Sequence, residues 1–316
     1  MSRLTIAIPT FRRPEDLKRA VGGVLEQASE LAAGPIAEAS GPRTDAEAGT
    51  EGDAAGATDA KGGAGEDVSD IEVLVIDNDA PGSAREAALA AAADAGVPVR
   101  SPADAPVESG GVSVRYVVEE RPGVAAVRNR ALDETGGRDL LVFIDDDEEP
   151  EPGWLAALVG LQASTGCQAV AGPVIPVYEV EPEEWVRQGE FFVRKTWPTG
   201  TIRPVAASNC LLLDLGFVRR AGLRFDEAFG ATGGEDTLFT RRLSAVGGVI
   251  RWCDEARVRD HVPASRLARP WILRRQRSHA ATSVRVELAL AGGGAQPAIR
   301  ARAAAGGLVR IVIGGL

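Results

Sequence analysis

Leu140-Leu-Val-Phe-Ile-Asp-Asp-Asp-Glu-Glu-Pro150 runs five apolar residues directly into three aspartates. An unbroken apolar run of this length reads as a strand buried on both faces, the pattern of a parallel sheet covered by helices. The aspartates then stand where the strand leaves the sheet, and in open α/β sheets that edge is where ligands bind. Adjacent carboxylates repel unless a cation or a shared proton offsets the charge. Two readings stay open for the stretch taken alone: a site for a hard divalent cation such as Mg²⁺ or Mn²⁺, or a solvated acidic turn.

Upstream, the same strand-then-polar pattern recurs. Leu4-Thr-Ile-Ala-Ile8 ends in Pro9-Thr10, and a helix is expected over Glu15–Ala28, with Glu15 and Asp16 in its first turn. Ile71-Glu-Val-Leu-Val-Ile76 ends in Asp77-Asn78-Asp79 and precedes an alanine-rich helix over Ser83–Ala95. A third strand, Val112–Val118, is followed by a helix through Leu132. Strands alternating with helices predict a parallel α/β sheet with right-handed crossovers. Further strands are expected over Ala169–Val177, Val205–Leu213 and Val249–Trp252, and a helix from Gly233-Gly-Glu-Asp236 to about Val246.

The 316 residues carry a net charge of −10, unevenly placed. Glu30 to Asp70 holds ten acids and two bases, and almost no large apolar residue, so residues 31–69 read as a disordered acidic insertion. A shorter flexible loop is expected over Pro98–Gly111. Arg257 to Arg310 holds eleven arginines against Asp260 and Glu287. That basic third, with Trp271-Ile-Leu273 and an apolar run over Leu308–Ile313, suggests phosphate, an anionic membrane surface or nucleic acid as partner. An ordinary amphipathic helix is the alternative. Three scattered cysteines, Cys167, Cys210 and Cys253, fit neither a disulfide framework nor a metal spacing and suit a reducing compartment. No apolar run reaches the roughly 18 residues of a membrane span, and Met1 leads straight into a strand, so no signal peptide is expected.

The order of these motifs resembles the family 2 glycosyltransferases, which have the GT-A fold. The resemblance rests on Ile8-Pro-Thr-Phe-Arg-Arg-Pro14, Val75-Ile-Asp-Asn-Asp79, Gly123-Val-Ala-Ala-Val-Arg-Asn-Arg130 and Phe143-Ile-Asp-Asp-Asp147. It continues through Ala207-Ser-Asn209, Phe225-Asp-Glu227, Gly233-Gly-Glu-Asp236 and His261-Val-Pro-Ala-Ser-Arg266. It implies a GT-A, Rossmann-like, mostly parallel sheet flanked by helices over residues 1–265, with a nucleotide-binding half (1–150), an acceptor half (151–265) and a basic helical tail (266–316). It also implies roles. Pro9, Thr10 and Arg13 line the donor nucleotide, and Asp77 accepts from a uracil-type base. Arg128 and Asn129 lie beside the nucleotide. Asp145 and Asp147 form the D-x-D pair for ribose and metal, with Asp146 between them on the donor side. Asp236 is the catalytic base, Glu235 orients the acceptor, His261 touches metal or diphosphate, and Arg266 contacts phosphate.

The implied activity is inverting, metal-dependent transfer of a sugar from a UDP- or GDP-sugar to a hydroxyl acceptor. The cofactor would be Mn²⁺ or Mg²⁺. The acceptor would be a saccharide or lipid-linked, in cell-surface polysaccharide or glycolipid synthesis. A cytoplasmic location, with the tail at the inner membrane face, fits this activity, and nucleic acid is not an expected partner. Two rivals share the composition. A nucleotidyltransferase needs a glycine-rich phosphate loop after its first strand, which Pro9-Thr-Phe-Arg-Arg-Pro14 lacks. A non-catalytic nucleotide-sugar-binding protein has no use for the base in Gly-Gly-Glu-Asp236. Helix capping, turn formation and core packing are the structural alternatives for Asp236, Asp77 and the tryptophans respectively.

Overall fold

The computed structural model describes residues 2–34, 68–101, 111–230, 232–291 and 293–314. The chain runs β1 (Ser2–Thr10), α1 (Pro14–Ala33), β2 (Val68–Asp77), α2 (Arg85–Asp94), β3 (Val99–Arg100), β4 (Gly111–Val118), α3 (Val124–Glu134), β5 (Leu140–Ile144) and β6 (Glu148–Pro150). It continues α4 (Trp154–Thr165), β7 (Ala169–Ala171), β8 (Val174–Tyr178), α5 (Glu184–Gln188), β9 (Ile202–Arg203), β10 (Cys210–Asp214) and α6 (Leu215–Arg220). It closes with α7 (Glu235–Ala245), β11 (Ile250–Trp252), β12 (Val258–Val262), α8 (Arg269–Leu290) and α9 (Gln296–Gly314). Most of the expected acidic insertion, 35–67, lies outside the described residues, as do 102–110 of the second expected loop. The first helix continues beyond Ala28 to Ala33 because Leu31 still packs on the core.

Nine strands form the main sheet in the order β3-β4-β2-β1-β5-β10-β7-β11-β9. β10 and β9 run antiparallel to their neighbours and the others are parallel. All five residues of β5 are buried. Its side chains alternate between two cores: Leu140, Val142 and Ile144 pack with α1, α2 and α4, while Leu141 and Phe143 pack with α3 and α7. Each such side chain stabilises by roughly 1.5–3 kcal/mol through burial, and a one-residue slip would move every one of them into the core packed for the other face.

Two expected strands change. The run Ala169–Val177 divides into β7 and β8, which belong to different sheets. The break falls at Gly172-Pro173, where a Cβ on Gly172 would sit 2.0 Å from the Ala256 carbonyl oxygen. The run from Val205 enters the ladder only at Cys210, because the Ala206 N–H and C=O are both taken by the Thr240 hydroxyl of α7. A second sheet, β6-β12-β8, lies beside the carboxyl end of β5 and pairs Asp260 with Glu148. Within residues 266–316, expected as a basic helical tail, α8 packs against the start of α7. Val286 shares a small core with Phe229 and Leu238, and Thr282 Oγ1 donates to the Thr232 carbonyl at 3.2 Å.

Candidate active site

The parallel register of β1, β2 and β5 brings Thr10, Asp77 and Asp145–Asp147 to one sheet edge. A cavity of about 480 Å³ opens there, lined by Pro9, Thr10, Phe11, Arg13, Asn78, Arg128 and the three aspartates, among others. Its floor is a charge-matched lattice. Thr10 Oγ1 donates to Asp146 Oδ2 at 2.8 Å, and Arg13 Nη1 donates to Asp146 Oδ1 at 3.1 Å and Asp147 Oδ2 at 2.9 Å. Arg266 Nη2 donates to the same Asp147 oxygen at 2.9 Å. Burial pushes the Asp146 carboxyl up to about 6, against the pull of Thr10 and Arg13. The rim is shaped by Arg12, whose φ of +57° lies in the left-handed region. Its Nε donates to Asp79 Oδ1 at 3.0 Å, and Phe11 is left half exposed at the mouth.

Asp145 is held differently. Its N–H donates to Glu148 Oε2 at 3.1 Å, and its carboxylate lies 3.6 Å from Arg128 Nη2. Burial, offset in part by Arg128 and reinforced by Asp147, raises its pKa. Arg128 is fully enclosed and also donates through Nη1 to Glu235 Oε1. One guanidinium thus bridges the first expected metal ligand and the residue expected to orient the acceptor. The other Glu235 oxygen is buried without a partner, and burial raises this carboxyl too.

Asp236, one residue on, is only part-enclosed. Its Oδ1 accepts from the Thr237 hydroxyl at 3.2 Å. It borders two cavities. One, of about 430 Å³, also touches Arg128, Asp145, Arg194, Asn209 and Asp260. The other, of about 680 Å³, lies between the start of α7 and α8. The turn that aims Asp236 requires glycine at 234: φ is +93°, and a Cβ would lie 2.2 Å from Thr282 Cγ2 of α8.

Three expected residues sit apart from this cluster. Asp77 is fully buried, with Oδ1 accepting from the Asp79 N–H at 2.9 Å and Oδ2 from the Ala84 N–H at 2.9 Å and the Tyr116 hydroxyl at 2.7 Å. Its oxygens fasten β2 to the start of α2. Asn129 spans the backbone of Phe225, donating to its carbonyl at 2.9 Å and accepting from its N–H at 2.9 Å. His261 Nε2 lies 3.2 Å from Glu149 Oε2. Successive residues of a strand face opposite ways, and it is Asp260 that turns toward Arg266, at 3.7 Å, and Arg194, at 3.9 Å. Burial, then Asp147, raises the Asp260 carboxyl. Sequence reasoning missed Asp260, Arg194 and the Glu148–Asn209 pair.

Among the described residues no three His, Cys, Asp or Glu side chains converge as a ready-made metal cage. The donor chemistry nevertheless suits a hard cation. Asp145, Asp147 and Asp260 supply only carboxylate oxygens, and burial followed by repulsion from Asp147 raises the Asp145 and Asp260 carboxyls. Mg²⁺ and Mn²⁺ are commonly held by one or two carboxylates, with substrate phosphates completing the shell.

Residues 64–214 match the family model for glycosyl transferase family 2. The chain is 34% identical over 212 residues to the succinoglycan biosynthesis protein ExoM of Rhizobium meliloti (strain 1021), covering 65% of this chain and 62% of that protein. It therefore spans less than two thirds of the curated relative's length. Among solved structures, GalNAc-T7 with UDP, GalNAc and Mn²⁺ superposes with a TM-score of 0.52 at 14% identity, over 83% of this chain and 44% of that one. S. aureus TarS 1–349 in complex with UDP-GlcNAc does so with a TM-score of 0.51 at 12% identity, over 83% and 59%. The fold is that of the GT-A glycosyltransferases. Over residues 64–214 the chain resembles glycosyl transferase family 2.

Proposed function

We propose that this chain is an inverting, metal-dependent glycosyltransferase that moves a sugar from a UDP- or GDP-sugar to a hydroxyl acceptor in polysaccharide or glycolipid synthesis. One observation carries the reading. Arg128 and Asp145 border both the crevice at the sheet edge and the chamber beside it, and Asp236 borders that chamber and the groove beyond. Donor, reacting centre and acceptor thus have a continuous path. The relative named for succinoglycan biosynthesis supports a polysaccharide product, and the UDP-sugar in the TarS structure supports the donor class.

In this reading the nucleotide lies in the first cavity, its base against Phe11 and Pro122. Arg13 and Arg266 turn from Asp147 toward phosphate oxygens, for which guanidinium geometry is suited. Asp145 and Asp147 would hold the cation, with Asp260 rather than His261 as the further group. When bound, the cation neutralises charge developing on the departing diphosphate. The acceptor oxygen forms a bond to the anomeric carbon as the bond from that carbon to the diphosphate oxygen breaks, and its proton passes to Asp236. A single displacement inverts the anomeric centre. Leu273, 62% exposed between Arg269 and Arg277, supports contact of α8 with an anionic membrane on the cytoplasmic side. Among the described residues no helix is long and apolar enough to cross a membrane.

A panel of UDP- and GDP-sugars with Mn²⁺ tests the proposal. Release of the nucleoside diphosphate with transfer of the sugar is expected, abolished by EDTA and by Asp147→Ala. Activity that survives both would remove the metal from the mechanism. Release of sugar 1-phosphate instead, with transfer of the nucleoside monophosphate, would mark a nucleotidyltransferase, and tight donor binding without turnover a sensor.

A further inference from the structure

The groove of about 680 Å³ between the start of α7 and α8 is built for more than a neutral hydroxyl. Trp271, Arg275, Ser278 and Thr282 recur at spacings of four, three and four and so share one face of α8. From Trp271 to Thr282 that face runs about 16 Å at 1.5 Å per residue, longer than a single sugar ring. Trp271 stands at one end with the Arg275 guanidinium 5.3 Å from its ring centroid.

Charge is distributed unevenly around this groove. Asp147 is paired with Arg13 and Arg266, and Glu235 with Arg128. Among the described residues, by contrast, no carboxylate lies within salt-bridge distance of Arg274 or Arg275, although both line the groove. Arg194 stands close enough to Arg275 for the two to repel. Burial and then the Arg194 charge lower the Arg275 pKa, and burial, Arg275 and Arg194 lower that of His279. Asp260 and Asp147 offset the charge on Arg275, and Asp236 that on His279, only in part, and cations crowded in this way are stabilised by an anionic ligand.

We propose that this groove takes an acceptor carrying a phosphate or carboxylate group, which Arg274 and Arg275 hold while a sugar hydroxyl of the same molecule reaches Asp236. The inference rests on the reading of Asp236 as the base and specifies the acceptor class for that site.

The test uses the full chain saturated with Mn²⁺ and with UDP or GDP, whichever binds, so that the donor's phosphate sites are filled. Octyl diphosphate, octyl glucuronide and neutral octyl glucoside are titrated by calorimetry. One anionic probe is expected to bind at least tenfold more tightly than the glucoside. That preference is expected to vanish in Arg274→Gln/Arg275→Gln and persist in Arg274→Lys/Arg275→Lys, each variant first shown to melt cooperatively. A diphosphate preference assigns the group to a lipid carrier, and a glucuronide preference to an acidic sugar. Equal affinities, no saturable anionic binding, or a preference that survives the Gln variant overturns the inference. Binding of UDP or GDP, measured first on the same sample, reads the parent proposal separately. Absence of both overturns that proposal and this one with it, whereas binding of either without an anion preference overturns this one alone.

Discussion

The crevice proposed for the donor and the groove proposed for the acceptor meet at a chamber that Arg128 and Asp236 both border, but they differ in how their charges are settled. In the crevice, Asp146 and Asp147 are bonded to Thr10, Arg13 and Arg266 before any ligand arrives. In the groove, Arg274 and Arg275 face open space without a carboxylate partner among the described residues. The crevice can therefore hold its shape empty, and a ligand there exchanges one set of ion pairs for another. In the groove a ligand would supply Arg274 and Arg275 with a close anionic partner rather than exchange one for another. The contrast predicts that changes on the groove side act on turnover, whereas changes beneath the crevice act on folding.

Asp236→Asn breaks the contrast most sharply. A positioned general base typically contributes about 10²–10⁴-fold, so kcat should fall by about that factor. The Kd for UDP, read by calorimetry, should move less than about threefold, because Asp236 does not border the crevice. Full activity in this variant would return Asp236 to the role of a helix-terminal residue.

Arg128→Met tests the shared wall. Removing one partner of a buried ion pair costs about 3–5 kcal/mol, here because Glu235 is left charged with one oxygen already unpartnered. The Glu235 carboxyl is already raised by burial, so its proton is held longer in the folded chain than in the unfolded one. Stability from such a group is lost as pH rises through the folded value. The loss in Arg128→Met should accordingly be larger at pH 8 than at pH 5 in urea titrations. A pH-independent loss would mean that the guanidinium acts by packing alone.

These residues were not equally legible in the chain. The crevice could be read because its parts are local: an apolar run and the polar residues that end it are contiguous, and parallel pairing gathers three such ends. Partners were not legible. An aspartate after a strand can face a ligand or fasten a turn, and Asp77 does the second only because Tyr116 and the Ala84 N–H arrive from elsewhere. Asp260 and His261 differ by one residue, and strand alternation alone decides which faces Asp147's neighbours. Arg194 comes from irregular chain between α5 and β9, where no periodicity exists to read.

Asp77→Ala sharpens the claim that the crevice is built from beneath. It leaves two backbone N–H groups and the Tyr116 hydroxyl short of a partner, at about 1–3 kcal/mol for each buried group left unsatisfied. A thermal melt should show a loss of roughly 2–4 kcal/mol, reduced from the sum because relaxation and water recover part of it. If the protein keeps its stability but loses UDP affinity, Asp77 is a base-binding residue after all.

The smallest effects separate two adjacent glycines at the mouth of the groove. Gly233 (φ +76°) and Gly234 (φ +93°) both lie in the left-handed region, where an L side chain costs about 1–2 kcal/mol. A Cβ on Gly233 meets nothing within 4 Å, whereas one on Gly234 meets Thr282 at 2.2 Å. Gly233→Ala should therefore show the backbone cost alone, and Gly234→Ala that cost plus displacement of α8 from the start of α7. Thr282→Ser removes the methyl that the added Cβ at position 234 would strike. Introduced into the Gly234→Ala chain it should recover the second part and leave the first, while in a Gly233→Ala chain it should recover nothing. Such non-additivity is the signature of direct contact. Equal losses for the two glycines, with no coupling to Thr282, would show that α8 does not rest on the loop that aims Asp236.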